Sequence, residues 1–217
     1  MRLPFRRRRS PAARAYERAK PAPPGTPWRE ARFAVVDLEM TGLDPKTAEI
    51  ISFAAVPVEG GRVRPGAGLS FNVRPERMPT ADTIRIHGLR PADLEDAPPM
   101  DEVIGEILGA LAGRVLVAHP SWVERDFLNA AMQSVGTRIK EPVVCTATLA
   151  GRLLEPSAET PREIALADAV RALGLPVHDP HTAEGDALTT AQLLIALATR
   201  LDLEEPQSVG SLADGAD

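Results

Sequence analysis

Apolar positions in the first third of the chain follow the short, dense pattern of β-strands. The runs RFAVVDLE and AEIISFAAVPVEG are rich in strand-forming residues, and the second ends at the turn pair Gly60-Gly61. A third run, over residues 62–73, is interrupted by a proline and a glycine, which predicts a bulged or imperfect edge strand. Together, the three runs predict an antiparallel meander.

The rest of the chain alternates between helical and strand-like spacing. The stretch MDEVIGEILGALAG has apolar residues at helical spacing, and RVLVAH after it predicts a buried strand. A helix over 121–135, a short strand near 143–144, two further helical segments and a long helix over 182–201 follow. We therefore predict an α/β fold: a mixed five-stranded sheet, made of the meander plus parallel strands, with helices on both faces.

The bulk composition is that of one folded domain. The chain has 217 residues, of which 44% are hydrophobic and 25% charged, enough for a single buried core. It contains no run of about 18 apolar residues, so no membrane-spanning helix is predicted. Its only cysteine, Cys145, cannot form an internal disulfide, and its surroundings predict a small buried residue. We expect a cytoplasmic protein.

Charge is distributed unevenly along the chain. Residues 1–30 carry nine Lys and Arg against two acidic residues, net +7, whereas the remainder carries 16 against 28, net −12. Because residues 1–30 are rich in proline and arginine, we expect a disordered arm that either contacts nucleic-acid phosphates or is only a solvated tail. The polar, acidic residues 203–217 are also predicted to be disordered, which leaves 31–202 as the folded domain.

Two acidic residues end the first predicted strand. Asp37 and Glu39 are two positions apart, so their side chains project to the same face of the sheet. The stretch MTGLDP after them has turn chemistry, and strand ends are where open α/β sheets bind ligands. The alternative is a strand whose last residues simply emerge into solvent.

A further acidic residue falls on an apolar stripe. Asp186 precedes Leu193, Leu194 and Leu197 by seven, eight and eleven residues, which places it on the core-facing side of its helix. A carboxylate there is costly unless it is paired, hydrogen-bonded or bound to a metal. The alternative, a favourable interaction with the helix dipole, explains neither this position nor His181, five residues earlier at the helix start.

Three carboxylates and a histidine, without cysteine, favour Mg²⁺ or Mn²⁺ over structural zinc. A site for two such ions requires a further acid, for which HPSWVERDFL offers Glu124 and Asp126. Positions 124, 127, 128 and 131 share one helix face, and the last three are Phe, Leu and Ala. Asp126 points to the side or to solvent. Helix phase therefore favours Glu124.

Three stretches of the chain resemble the motifs of a known enzyme family. VVDLEMTGLDP, LVAHPSWVERDFL and HTAEGDALTTAQLL, in this order and at these separations, resemble the three exonuclease motifs of the DEDDh 3′-to-5′ exonucleases. That family includes the epsilon proofreading subunit of bacterial DNA polymerase III, RNase T and oligoribonuclease. The resemblance covers about residues 31–200. The match to H-x-A-x-x-D-A, from His181 to Ala187, is typical of the histidine subclass.

The resemblance implies a ribonuclease H-like fold, two Mg²⁺ or Mn²⁺ ions, and release of nucleoside 5′-monophosphates from a nucleic-acid 3′ end. It implies that Asp37, Glu39 and Asp186 are metal ligands and that His181 is the general base that deprotonates the attacking water. The positions that contact the terminal nucleotide in the family are occupied here as follows: Met40, Thr41 and Leu43.

The second motif departs from the family pattern. Most members have aspartate five residues after the motif histidine, where this chain has Glu124, while Phe127 and Leu128 keep their places. The resemblance thus selects the same acid as helix phase does, and Glu124 is predicted to complete the catalytic and metal-binding set. The longer side chain moves the carboxylate by about 1.5 Å, more than the roughly 0.5 Å that such sites tolerate, unless the backbone compensates.

Several other residues have two possible roles. His119 is expected to be structural or loosely substrate-facing, not a metal ligand. His87 either lines the substrate cleft or packs at a helix end, and Trp122 either stacks on a base or packs against the sheet.

For function, we predict an exonuclease of the DNA proofreading or repair type, acting on single-stranded or frayed 3′ ends and associated with a polymerase or repair partner. The alternatives are an oligoribonuclease-like RNA exonuclease and a catalytically weak module of the same fold that binds nucleic acid or a polymerase. The sequence predicts no oligomeric state.

Overall fold

The fold is built on one mixed β-sheet of six strands. The structure is a computed structural model that describes residues 10–157 and 162–213. The strand order is β3-β2-β1-β5-β6, and β4 also pairs with β2. The strands are β1 (Arg32–Met40), β2 (Ile50–Glu59), β3 (Arg62–Val63), β4 (Leu69–Asn72), β5 (Val115–Ala118) and β6 (Val143–Cys145). The first four pair antiparallel, whereas β5 runs parallel to both β1 and β6.

Nine helices are found in the described part of the chain. They are α1 (Pro11–Arg18), α2 (Ala81–His87), α3 (Pro91–Leu94), α4 (Met100–Leu111), α5 (Ser121–Gln133), α6 (Thr146–Leu154), α7 (Leu166–Leu173), α8 (Ala183–Glu204) and α9 (Val209–Ala213). There are also two short 3₁₀ turns: Trp28–Glu30 precedes β1, and Pro65–Ala67 lies between β3 and β4. None of these described helices has the length and hydropathy needed to cross a bilayer.

Helices cover both faces of the sheet, as predicted. Alternate residues of β1 enter two separate cores, since successive side chains of a strand point to opposite faces. Phe33 and Val35 pack in the core that contains α8, whereas Ala34 and Val36 pack in the core that contains α4 and α5. The α/β class is confirmed, and β1 lies in the middle of the molecule with both faces buried.

The third predicted strand is divided in two. The 3₁₀ turn Pro65–Ala67 separates β3 from β4, and both short strands pair with β2. Proline removes a backbone donor and fixes its own backbone torsion, so the run cannot continue as one regular ladder. The sheet therefore has six strands where the sequence predicted five.

The disorder predicted for the N-terminal arm is wrong for residues 10–30. Helix α1 packs against α4, and Ala13, Tyr16 and Trp28 are 0%, 4% and 1% exposed. Lys140 holds the end of α1, because its Nζ donates to the carbonyl oxygens of Tyr16 at 2.7 Å, Glu17 at 3.1 Å and Ala19 at 3.3 Å. A few apolar side chains thus order a segment whose average composition suggests a free tail. Residues 1–9 lie outside the described part.

The predicted acidic tail is also ordered in part. The backbone N–H groups of Val209 and Gly210 donate to the carbonyl oxygens of Thr26 and Pro24, at 2.9 and 2.7 Å. The N–H of Trp28 donates in return to the carbonyl oxygen of Gln207 at 3.2 Å. The two terminal segments therefore hold each other on the domain, and the prediction of disorder is wrong for residues 203–213. Residues 214–217 lie outside the described part.

The two tryptophans provide a test of this packing. Replacing the buried Trp28 by alanine should lower the free energy of unfolding by about 3–5 kcal/mol, because a large core side chain is lost. Trp122 is 51% exposed, so Trp122→Ala should cost less than about 1 kcal/mol. Urea denaturation of both variants measures the difference. Equal, small effects would show that the segment around Trp28 does not belong to the core.

Candidate metal centre

Three carboxylates meet where β1 ends and α8 begins. Asp37 and Glu39 project from the last residues of β1, two positions apart, and Asp186 lies in the first turn of α8. One carboxylate oxygen from each lies within 4.8 Å of the other two. Helix α8 is held in this position by the burial of Leu193, Leu194 and their neighbours against the sheet. The convergence predicted from strand and helix periodicity is therefore present.

A fourth carboxylate approaches from α5. Glu124 lies in the first turn of that helix and is only 4% exposed. Its Oε2 atom has no hydrogen-bond partner among the described residues. It stands outside the tight group of three, but its charge acts on Asp37. Asp126 is exposed to solvent, so the structure places these two acids as helix phase predicts.

Mutual repulsion and burial shift the proton affinities of the four groups. Burial, followed by the charges of Glu124, Glu39 and Asp186, raises the pKa of Asp37 well above its ordinary value. Burial raises the pKa of Glu39 to about 8, with a further contribution from Asp186, and raises that of Glu124 to about 8. The pKa of Asp186 is raised by burial and lowered in part by His181.

No described Lys or Arg forms a salt bridge with any of these four carboxylates. Partly buried carboxylates without a cationic partner are costly, and the unpartnered oxygen of Glu124 adds to that cost. A hard divalent cation removes both problems, because oxygen ligands of this type are the ones that Mg²⁺ and Mn²⁺ prefer. The residues present therefore fit such ions.

The loop before α8 brings His181 to the edge of this cluster. Its backbone N–H donates to Oδ2 of Asp186 at 3.0 Å, and its side chain is exposed. Its φ angle is 63°, in the left-handed region that non-glycine residues rarely adopt. The structure thus places His181 beside Asp186 and accessible to a substrate.

The three predicted substrate contacts follow Glu39 directly in the chain. Met40 is partly buried, and the hydroxyl of Thr41 accepts a hydrogen bond from the N–H of Glu49 at 2.9 Å. Leu43 is 85% exposed. Leu43 is thus an exposed apolar side chain, whereas Thr41 has a structural role in the turn.

A cavity of about 680 Å³ opens beside Glu39. Its walls come from β1, β2, β4, the end of α2, the first turns of α8 and the loop before that helix. Among the described residues that line it there is no Lys or Arg, and its neutral polar side chains include Ser52, Ser70, Asn72 and His87. The serines and Asn72 were missed by the sequence analysis, because polar residues in strands are common. Ser52, the polar residue within the apolar run IISFAAV, was the one available signal.

His87 lies at a helix end and also lines the cavity beside Glu39. It ends α2 and is 7% exposed, and its Nδ1 accepts a hydrogen bond from the N–H of Leu89 at 3.0 Å. The neutral ring must then carry its proton on Nε2, which has no partner among the described residues. His87 therefore has a buried hydrogen-bond donor without a partner in the described part of the chain.

The remaining candidates have structural surroundings. Nδ1 of His119 lies 2.9 Å from the hydroxyl of Thr146, and burial lowers the pKa of His119 to about 4. Of the two roles left open for His119, this supports the structural one. Cys145 is buried at 3% exposure, as predicted. Trp122 is half-exposed and does not pack fully against the sheet.

Comparison with known proteins identifies the family. The RNase T family model, described as exonuclease, matches residues 34–194, which is most of the chain. DNA polymerase III subunit epsilon of Aquifex aeolicus is 31% identical over 175 residues, which cover 79% of this chain and 83% of that protein. The chain therefore belongs to the DEDDh 3′-to-5′ exonuclease family.

Longer relatives share only this domain. The PolC-type DNA polymerase III of Thermotoga maritima is 33% identical over 167 residues, which cover 76% of this chain and 12% of that protein. A second PolC-type relative, from Thermotoga petrophila, is matched over 14% of its length. The chain thus spans a small part of these polymerases.

Solved structures agree with the fold. Exonuclease X in complex with 5′-overhanging duplex DNA has a TM-score of 0.64 at 25% identity, covering 86% of this chain and 99% of that one. The nuclease domain of 3′hExo, a DEDDh family member bound to rAMP, has a TM-score of 0.63 at 20% identity, covering 84% and 96%. These similarities confirm the predicted ribonuclease H-like fold.

The raised pKa values predict how stability depends on pH without metal. In the folded state, the carboxyl groups of Glu39 and Glu124 have a pKa of about 8 and so keep their protons up to about that pH. In the unfolded chain, glutamate carboxyl groups lose their protons near pH 4. The folded state therefore binds more protons between these values, so its free energy of unfolding should fall as pH rises from about 5 to about 8. Thermal denaturation in EDTA measures this slope.

Two variants provide the controls. Glu124→Gln should flatten the slope and stabilise the metal-free protein near pH 8, whereas Asp126→Asn, at an exposed position, should leave the slope unchanged. Mn²⁺ should stabilise the wild type more at pH 8 than at pH 5. A wild-type slope that Glu124→Gln does not alter would contradict the electrostatic interpretation.

Proposed function

We propose that this domain is a metal-dependent 3′-to-5′ exonuclease that hydrolyses phosphodiester bonds at nucleic-acid 3′ ends and releases nucleoside 5′-monophosphates. The convergence of Asp37, Glu39 and Asp186 within 4.8 Å carries the proposal, together with the buried Oε2 of Glu124, which has no partner among residues 10–157 and 162–213. Such an arrangement is costly in a scaffold and is accounted for by divalent cations. Family membership supports the same reaction.

Two Mg²⁺ or Mn²⁺ ions would be held by Asp37, Glu39, Glu124 and Asp186. When bound, such ions lower the pKa of a water and stabilise the leaving oxygen of an in-line displacement. His181 would accept the proton of the attacking water, since imidazole titrates closer to neutral pH than any other side chain. Its exposed ring and its backbone link to Asp186 support this role.

The cavity beside Glu39 indicates what kind of group the substrate presents there. Its described lining includes the acids Asp179 and Glu184 and no Lys or Arg, so a phosphate would be repelled. Its neutral donors and acceptors suit a sugar or the edge of a base, and the volume falls in the range of ligand pockets. We infer that Met40, Thr41 and Leu43 contact the terminal nucleotide, and that the cavity accepts the adjoining part of an unpaired strand.

The DNA proofreading or repair type is the substrate class that we favour, with a polymerase or repair protein as partner. The match to the epsilon-type relative extends over 83% of that protein, which supports that choice. An oligoribonuclease-like activity on short RNA is the second candidate. A weak binding module is less consistent with four mutually repelling carboxylates, because binding alone does not require them.

Removing the fourth carboxylate tests the catalytic set. Glu124→Ala should lower Mn²⁺-dependent hydrolysis of a labelled single-stranded oligonucleotide by at least about 100-fold, because loss of groups that only support metal ligands already costs about 10–100-fold. Asp126→Ala, two residues away and exposed, should retain most activity. If Asp126→Ala is the inactive variant, the assignment of Glu124 is wrong.

A comparison of 3′ ends tests the substrate class. A single-stranded or mismatched DNA 3′ end should be cleaved about 10-fold faster than a paired end, because opening one base-pair step costs about 1.4 kcal/mol. The measurement is the release of 5′-monophosphates from DNA and short RNA substrates of the same sequence. Asp186→Ala is the control for contaminating nucleases. Faster cleavage of short RNA would favour the second candidate, and equal cleavage of paired ends would contradict the preference for unpaired strands.

A further inference from the structure

We propose that Gly185 is a positioning residue, which sets where the loop over residues 178–181, and with it His181, sits on the first turn of α8. For the role of His181 in the reaction, the proposal rests on the proposed function. A Cβ atom at position 185 would lie 2.3 Å from the carbonyl oxygen of Asp179, 2.4 Å from that of His178 and 2.8 Å from Oγ1 of Thr182. Contacts of this length do not occur, so any side chain at 185 must displace the loop.

The displaced atoms have little freedom to move. Two of the three are backbone oxygens, and the Asp179 oxygen already accepts a hydrogen bond from the Thr182 hydroxyl at 2.7 Å. That hydroxyl in turn accepts from the N–H of Gly185 at 3.1 Å. A methyl group at 185 would therefore enter the centre of this hydrogen-bonded turn and could not be accommodated by rotating a flexible side chain.

Two further contacts fix the other end of the loop to α8. The N–H of His178 donates to Oγ1 of Thr189 at 3.0 Å, and its ring Nε2 lies 2.9 Å from the side-chain amide of Gln192. These residues are one and two turns along the helix from Gly185. The loop thus lies flat on the helix surface, at a separation that only glycine at 185 permits.

The position of the loop over residues 178–181 affects the metal centre. The loop includes Asp179 and His181 with positive φ angles of 24° and 63°, which persist only where the surroundings hold them. The N–H of His181 donates to Oδ2 of Asp186, the residue next to Gly185. Moving the loop outward by about 1 Å would therefore change the position of His181 relative to the carboxylates, and misplacements of that size cost on the order of 100-fold in rate.

The test compares two glycines that both lie in helices. Gly185→Ala should shift the NMR signals of the His178 and His181 rings in the metal-free protein and lower kcat by about 10–100-fold. The signals of His119, which is bonded to Thr146 elsewhere, should stay unchanged. Gly109→Ala is the matched control, because nothing lies within 4 Å of a Cβ at that position, and it should alter neither the signals nor kcat.

A second variant keeps the test independent of folding. Thr189→Val removes the hydrogen bond to the N–H of His178 with little change of shape, and it should shift the same two histidine signals without moving that of His119. The proposal is overturned if Gly185→Ala is folded and leaves both loop histidines and kcat as in the wild type. It is also overturned if Gly185→Ala is unfolded and Thr189→Val leaves the signals unmoved. Absence of nuclease activity in the wild type would contradict the proposed function alone, since the NMR result does not depend on activity.

Discussion

The repulsion between four carboxyl groups at one end of the sheet is the constraint on which this structure depends. Like charges a few ångströms apart in a partly buried setting separate or take up protons unless the scaffold or a cation prevents it. Asp37 and Glu39 cannot separate, because β1 is paired along its length with β2 and also with β5. The central strand, with both faces buried, is therefore the element that can carry two adjacent acids at a fixed distance.

The third and fourth acids are held by helix packing in the same way. Asp186 and Glu124 each lie in the first turn of a helix whose following turns are buried in one of the two cores. The position of each carboxylate is thus set by apolar side chains several residues away, and the positive end of each helix dipole partly offsets the negative charge. The acids positioned by the two cores consequently lie together near the end of β1.

Periodicity explains why this part of the site could be predicted from sequence. The two-residue spacing of Asp37 and Glu39 and the position of Glu124 on the stripe of Phe127 and Leu128 are local properties, and they remain true in the fold. Other features depend on pairing between distant segments. Ser52 lies opposite Asn72 through the register of β2 and β4, and the two together help to form the cavity beside Glu39.

The terminal segments were mispredicted for a related reason. Average composition describes residues 10–30 as polar and proline-rich, but the stability of that segment comes from a few side chains and from partners far along the chain. Tyr16 packs its ring under Nζ of Lys140 at 4.6 Å, and the backbone N–H of Trp28 donates to the carbonyl oxygen of Gln207, near the opposite terminus. Both partners, Lys140 and Gln207, lie more than 100 residues away in the sequence, so a prediction from residues 10–30 alone cannot include them.

The glutamate at position 124 can be understood from the same balance between packing and charge. One additional methylene extends the carboxylate by about 1.5 Å, so helix α5 can stand further from β1 than an aspartate would allow. Glu124 is buried, and its Oε2 has no hydrogen-bond partner in the described part of the chain, so its carboxylate does not point to solvent. Its place outside the group of Asp37, Glu39 and Asp186 then follows: it faces that group from the opposite core, where its charge still acts on Asp37. Asp37, Glu39, Glu124 and Asp186 would together hold the divalent ions, whose positive charge would offset the repulsion between the carboxylates.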